Sequence, residues 1–305
     1  MKISEKLKII KQLSGLTQEK LAVKLGVSFA TLNSWINNRS QPHRRRADLI
    51  DVVLFEYSGV KIINKDRLAV KKEIIKTKSK KYKNILSFIL KRPDIYQEFI
   101  LLLTYNTNRI EGSTLTEDET AAVIFRNETI ANKNLIEHLE AKNHQIAAKF
   151  LFVYLQKGKI DEKLILKLHS LLMNGIRDDA GEYRRQGVRI VGSNVPTANH
   201  LSVPGLMTEL IKKINIKAED VVSYISYIHS RFEEIHPFSD GNGRIGRLIM
   251  TAMLLDNNLP PAIVEAKERK YYLSYLRKSQ LKKDSDFLND LICDAVLRGF
   301  YIIDI

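Results

Sequence analysis

One cysteine in 305 residues cannot make an internal disulfide, so the chain is no disulfide-stapled scaffold and suits a reducing, cytoplasmic setting. That residue, Cys293, keeps company with Leu291, Ile292 and Val296, the surroundings of a small core residue rather than a nucleophile. No apolar run approaches the roughly 20 residues of a bilayer-spanning helix, and the N-terminus lacks the pattern of a signal peptide. A membrane partner is therefore not expected. The histidines at 43, 138, 144, 169, 200 and 229 have no metal-ligand spacing, and no cysteine or paired-histidine cluster supports zinc. Internal repeats and low-complexity tracts are absent too. Excess positive charge is missing from residues 93–305, where 27 Lys/Arg meet 28 Asp/Glu.

The net charge of +14 consequently resides in the N-terminal third, where 22 Lys/Arg face 7 Asp/Glu over residues 1–92. Such asymmetry predicts a nucleic-acid partner for that part without identifying DNA by itself, and a lysine-rich stretch such as 65–83 is also what an ordinary solvated surface looks like. With 44% hydrophobic residues the chain can bury a large core, and its length predicts more than one domain. Ile3, Leu7, Ile10 and Leu13 mark a first helix. Thr17 caps a second, Gly26 permits a tight turn, and Ser28 caps a third whose apolar stripe is Leu32, Trp35 and Ile36. Two short helices joined by a glycine-containing turn make a helix-turn-helix, a pattern that a plain helical hairpin shares. The stretch resembles phage-repressor-like regulators. That resemblance implies that Phe29, Ala30, Asn33 and Ser34 face the major groove while Gln18, Arg39 and Arg44 to Arg46 hold phosphates.

Residues 1–57 thus form the expected DNA-binding domain and 58–92 a basic connector, in which Val60–Ile63 and Leu68–Ile75 read as a short hairpin or as a strand and helix. From about residue 84 onward 3.6-residue apolar spacing recurs in segment after segment. The exception is Gly187 to Gly192, which alternates, is rich in β-branched residues and runs into Ser193-Asn194, predicting a small β-hairpin.

The run His236-Pro237-Phe238-Ser239-Asp240-Gly241-Asn242-Gly243-Arg244-Ile245-Gly246-Arg247 concentrates chemistry. Proline ends any helix that carries His236. Gly241 and Gly243 frame a turn, and a new helix begins at Arg244. Bare amides at a helix N-terminus, with two arginines three residues apart on one face, suit a polyphosphate. The order histidine, phenylalanine, acid, Gly-Asn-Gly, arginine and second arginine resembles the signature of the Fic family, with all eight positions matched, and the likeness extends over roughly residues 90–290. It implies a mainly α fold: a helical Fic core over 93–305 with the hairpin as a flap, preceded by the helix-turn-helix domain. It also implies transfer of AMP from ATP to a hydroxyl of a target protein, or of the chain itself. In that scheme His236 is the base and Asp240 holds Mg²⁺. Gly241, Gly243 and the Asn242 side chain cradle phosphate oxygens, and Arg244 and Arg247 grip the β- and γ-phosphates.

Upstream, Thr107-Asn108-Arg109-Ile110-Glu111-Gly112 resembles the family's inhibitory motif, in which the glutamate pairs with the second arginine, here Arg247. A surface glutamate at a helix end would look the same. The resemblance further implies that Arg189, Ile190, Val191 and Gly192 belong to a flap that registers the target segment beside the nucleotide, and that Tyr271 and Tyr272 lie near the adenine or ribose; ordinary packing is the alternative for each. A DNA-binding regulator that senses nucleotide without transfer is the competing function, and a homo-oligomer is left open.

Overall fold

The computed structural model describes residues 1–58, 63, 65–189 and 195–304. It divides into two compact units, Met1–Asn64 and Lys65–Ile305. Among the described residues every regular element is helical. Of the expected hairpin over residues 187–194, residues 187–189 form no strand and residues 190–194 lie outside the described ones.

The first unit holds α1 (Ile3–Ser14), α2 (Gln18–Lys24), α3 (Phe29–Ile36) and α4 (Arg44–Ser58). Thr17 and Ser28 accept the N–H groups of Lys20 and Thr31, so both predicted caps start their helices. Leu7, Ile10, Leu21, Leu32, Trp35 and Ile50 interlock in one core, and Lys6 pairs with Asp51 at 2.6 Å to fasten α1 on α4. Arg46 was expected to hold a phosphate. Instead its guanidinium donates to the Leu25 carbonyl at 2.7 Å, closing the C-terminal end of α2. Gly26, at φ +61°, makes room for it, since a Cβ there would stand 2.8 Å from Arg46 Nη1.

The second unit is a helical bundle. Its α5 (Lys65–Ser79) packs on α15 (Asp286–Ile303), so Leu68–Ile75 is helical rather than part of a hairpin. After α6 (Ile85–Leu90), α7 (Pro93–Glu111) begins with Pro93, whose missing N–H costs nothing in a first turn. Then come α8 (Glu117–Ala121), continued by a π-helical turn over Ala122–Arg126, α9 (Leu135–Tyr154), α10 (Glu162–Leu172), α11 (Val203–Ile214), α12 (Val221–Ile235), α13 (Asn242–Asp256) and α14 (Arg269–Lys282). Helix α13 is buried on nearly every face, against α7, α9, α10 and α12. It therefore carries its arginines into the bundle.

Trp35, the only tryptophan, is 5% exposed in the core of the first unit, so its fluorescence reports that unit. Leu32→Ala is expected to remove about 3 kcal/mol of stability and shift the Trp35 transition to lower urea. An unmoved midpoint would contradict the packing of Leu32.

Candidate active site

Helix α12 stops because His236 turns left-handed, at φ 52° and ψ 61°, immediately before Pro237. A side chain held in that region needs support. Arg184 supplies it. Buried, it donates from Nε to the His236 carbonyl at 2.7 Å and from its two terminal nitrogens to the Gln186 and Ala198 carbonyls, while its own N–H binds the Pro237 carbonyl. The His236 ring points Nδ1 at the Glu233 carbonyl, 3.3 Å away. A proton on Nδ1 donates there and leaves Nε2 with a lone pair. Burial lowers the His236 pKa, only partly offset by that carbonyl, so the ring is neutral at pH 7 and able to accept a proton.

The next residues are pinned from below. Phe238 is fully buried and stacks on the His169 ring at 3.8 Å and 8°. His169 accepts the Gly181 N–H at Nδ1 (2.8 Å), so its Nε2 carries the proton and donates to the Asp240 carbonyl at 3.1 Å. Burial pushes this histidine down to about 4, which keeps it neutral. Asn242 departs from expectation: its Oδ1 accepts the Phe238 N–H at 2.9 Å and its Nδ2 donates to the Phe238 carbonyl at 2.8 Å. Both ends of the side chain thus hold the loop itself, a structural role the expectation did not include. Gly241 is left-handed at φ 78° and caps α13.

From the first turn of α13, Arg244 reaches Glu140 on α9, with Nη1 to Oε1 at 2.6 Å; its Nε has no hydrogen-bond partner among the described residues. One turn on, buried Arg247 meets four acceptors. Nε donates to Thr107 Oγ1 at 2.5 Å, Nη2 to Glu111 Oε1 at 2.5 Å and to the Thr107 carbonyl at 3.3 Å, and Nη1 to the Tyr272 hydroxyl at 3.4 Å. Thr107 and Glu111 stand one turn apart at the end of α7, which Gly112 terminates at φ 111°. Burial of the Glu111 carboxyl opposes its charge, but Arg247, with Arg244 and Arg269 behind it, outweighs that and lowers its pKa. Arg269 holds this helix end through the Ile110 carbonyl. A cleft of about 410 Å³ opens here, lined by Glu111, His236, Gly243, Arg247 and, from α14, Lys270 and Arg277.

Tyr272 also walls the cleft, but it is 1% exposed and its hydroxyl lies between Arg247 and His229 Nε2 (2.6 Å). Its polar end serves the arginine instead of a base or sugar. Tyr271 stacks on Tyr275. Arg189 is exposed, and Ile190, Val191 and Gly192 lie outside the described residues. In the first unit Phe29 is 44% exposed, and Ala30 and Arg39 are exposed beside it. Asn33 Oδ1 accepts from Gln18 (3.5 Å) and Asn37 (2.9 Å), joining α2 to α3, while Ser34 and Ser40 share a hydroxyl contact of 2.8 Å.

Asp240 is 53% exposed on its side chain; its Oδ1 accepts the Gly241 N–H, and Arg244 comes no closer than 3.7 Å. No group of three His, Cys, Asp or Glu that could cage a metal exists among the described residues. One open carboxylate at the mouth of an amide-lined turn fits Mg²⁺, which usually takes one or two carboxylates plus substrate phosphates.

Residues 159–254 match the Fic/DOC family and residues 7–56 the Helix-turn-helix family. The chain carries a Fic/DOC domain. It is 32% identical over 178 residues to the protein adenylyltransferase Fic of Drosophila persimilis, a match covering 57% of this chain and 35% of that protein. The Drosophila simulans protein of the same name is 31% identical, with 57% and 36% covered. The chain thus spans about a third of the length of these curated relatives. Its fold resembles a Fic domain containing signaling protein from Bacteroides thetaiotaomicron (TM-score 0.66, 24% identity, 77% of this chain and 96% of the other). It also resembles Fic-1 from C. elegans (TM-score 0.67, 18% identity, 94% and 84%).

Behind the Fic loop, Glu233 is buried and burial pushes its carboxyl up to about 8, from 4.5 in a solvated chain. Between those limits the native state holds a proton that the unfolded chain has released. Stability from this group is thus complete below about 4.5 and falls as pH rises towards 8. Glu233→Gln removes the titration. Melting curves from pH 5 to 8.5 should show the variant gaining on the parent, by at most about 1.4 kcal/mol per pH unit. A difference that stays flat would mean that Glu233 is already ionised in the fold.

Proposed function

We propose that this chain is an ATP-dependent protein adenylyltransferase restrained by its own Glu111. The observation that carries the reading is the Arg247–Glu111 pair, 2.5 Å long, set in the same cleft as His236. His236 Nε2 takes the proton of a protein hydroxyl as its oxygen bonds to the α-phosphorus. The bond from that phosphorus to the β-bridging oxygen breaks, and pyrophosphate leaves with the electron pair. Arg244, Arg247 and the amides about Gly241 and Gly243 offset the charge that develops. Asp240 would hold Mg²⁺, which supplies further charge neutralisation on the phosphates.

The restraint follows from acceptor competition. Arg247 has its Nη2 on a carboxylate, so a γ-phosphate at that nitrogen must first displace Glu111. Replacing Glu111 by glycine leaves Thr107 and Tyr272 to hold the guanidinium and frees one N–H of Nη2 for substrate. Glu111→Gly with labelled ATP and Mg²⁺ is expected to label the chain or an added partner at least about tenfold above the parent. Adding His236→Ala should cut labelling by about 10² or more. Equal labelling by the single and double variants would refute His236 as the base.

The first unit is proposed to bind DNA through α3, with Phe29 and Ala30 against thymine methyls and Arg39 on a phosphate. Support comes from the helix-turn-helix match, the exposed Phe29 and the basic excess of residues 1–92. Duplexes selected from a random pool by the full chain should bind with steep salt dependence. Arg39→Ala should reduce the slope of log affinity against log salt by about one. A pool that shows no enrichment and no salt-sensitive binding would exclude the reading.

A further inference from the structure

We propose that Glu140 is a positioning residue that keeps Asp240 available for a divalent cation by drawing Arg244 away from it. The inference rests on the proposed nucleotide reading of the site. Two guanidinium groups influence the Asp240 carboxylate, those of Arg244 and Arg177. Each has a carboxylate of its own. Arg177 holds Asp179 through Nε at 2.6 Å and Nη2 at 3.2 Å. Arg244 holds Glu140 at 2.6 Å. What reaches Asp240 from Arg244 is a contact of 3.7 Å, beyond hydrogen-bonding distance.

Burial gives the arrangement its force. The Arg244 side chain is 3% exposed and that of Glu140 20%, so solvent screens their pair weakly. Arg244 and Asp240 sit four residues apart, and a guanidinium left without Glu140 has Asp240 as its nearest alternative carboxylate. A closed Arg244–Asp240 pair would neutralise the charge that a hard cation needs and occupy the oxygens that would bind it. Glu140 comes from α9, 104 residues before Arg244, so it holds the arginine from an element separate from the turn that carries Asp240. Two histidines also lie near Asp240: His169, bonded to its carbonyl, and His236, and burial favours the neutral form of each.

The test uses the full chain with Glu111→Gly as parent and reads binding rather than turnover. A fluorescent non-hydrolysable ATP analogue is titrated at a series of Mg²⁺ concentrations. Glu140→Gln, equal in shape and uncharged, should raise the Mg²⁺ needed for half-maximal binding by about tenfold, with a much smaller change in analogue affinity at saturating Mg²⁺. Glu140→Asp, which keeps the charge, should recover most of that shift, separating the effect from misfolding. In an Asp240→Asn background the Glu140→Gln change should no longer move the Mg²⁺ dependence. The proposal is overturned if Glu140→Gln lowers analogue affinity without moving the Mg²⁺ midpoint, or moves it equally with Asp240→Asn present. A parent that binds no analogue at any Mg²⁺ concentration overturns the nucleotide reading as well, and that result is distinct from a parent that binds while its Glu140 variant is unchanged.

Discussion

A guanidinium inside a helical bundle must be given acceptors, and Arg247 sets that requirement for the Fic unit. Removing its charge from water is costly unless each N–H finds an oxygen. Thr107 contributes a hydroxyl and a carbonyl, Glu111 a carboxylate oxygen and Tyr272 a hydroxyl. Those groups come from α7 and α14, so the arginine ties α13 to both. The end of α7 is then fixed in turn by Arg269 on the Ile110 carbonyl and by Arg109 on the Ser113 carbonyl. The restraint proposed for Glu111 and the packing of the bundle are one set of contacts.

The same accounting explains the buried titratable groups around it. His144 and His229 stand near the two arginines and burial lowers both to about 3, so neither adds a cation to a crowded interior. Glu233 stays protonated beside them. Neutral neighbours leave Glu111 as the carboxylate that answers Arg247, which makes the pair sensitive to a competing anion. A phosphate arriving in the cleft brings the charge that would exchange with it.

How much of this could be read along the chain depends on distance in sequence. The loop from His236 to Arg247 was legible because its chemistry is local: proline stops one helix, glycines shape the turn and the next helix starts at once. Glu111 was legible through a motif. Glu140, Arg184 and His169 were not, because each acts on the loop from 52 or more residues away and carries no local mark. The loop-holding role of Asn242 was not legible for a related reason. Its place beside two glycines suggests a ligand contact, while its two hydrogen bonds to Phe238 appear only once the turn is folded.

Gly243 brings the two readings of the loop together. Glycine in a phosphate-binding turn is usually explained by the close approach of a ligand to the backbone. Here a Cβ at 243 would also stand 2.3 Å from Glu111 Oε1 and 3.2 Å from Arg247 Nη1. The bare backbone that would admit a phosphate is the one that lets the carboxylate reach the arginine. Under the proposed function, Glu111 and the nucleotide would therefore contend for a single space next to one guanidinium. A side chain added at that position would evict Glu111 and crowd the nucleotide together, whereas trimming Glu111 vacates the space without touching the turn. The proposed restraint could thus be relieved from α7 and hardly from α13, a physical reason for placing a control residue outside the loop it would control.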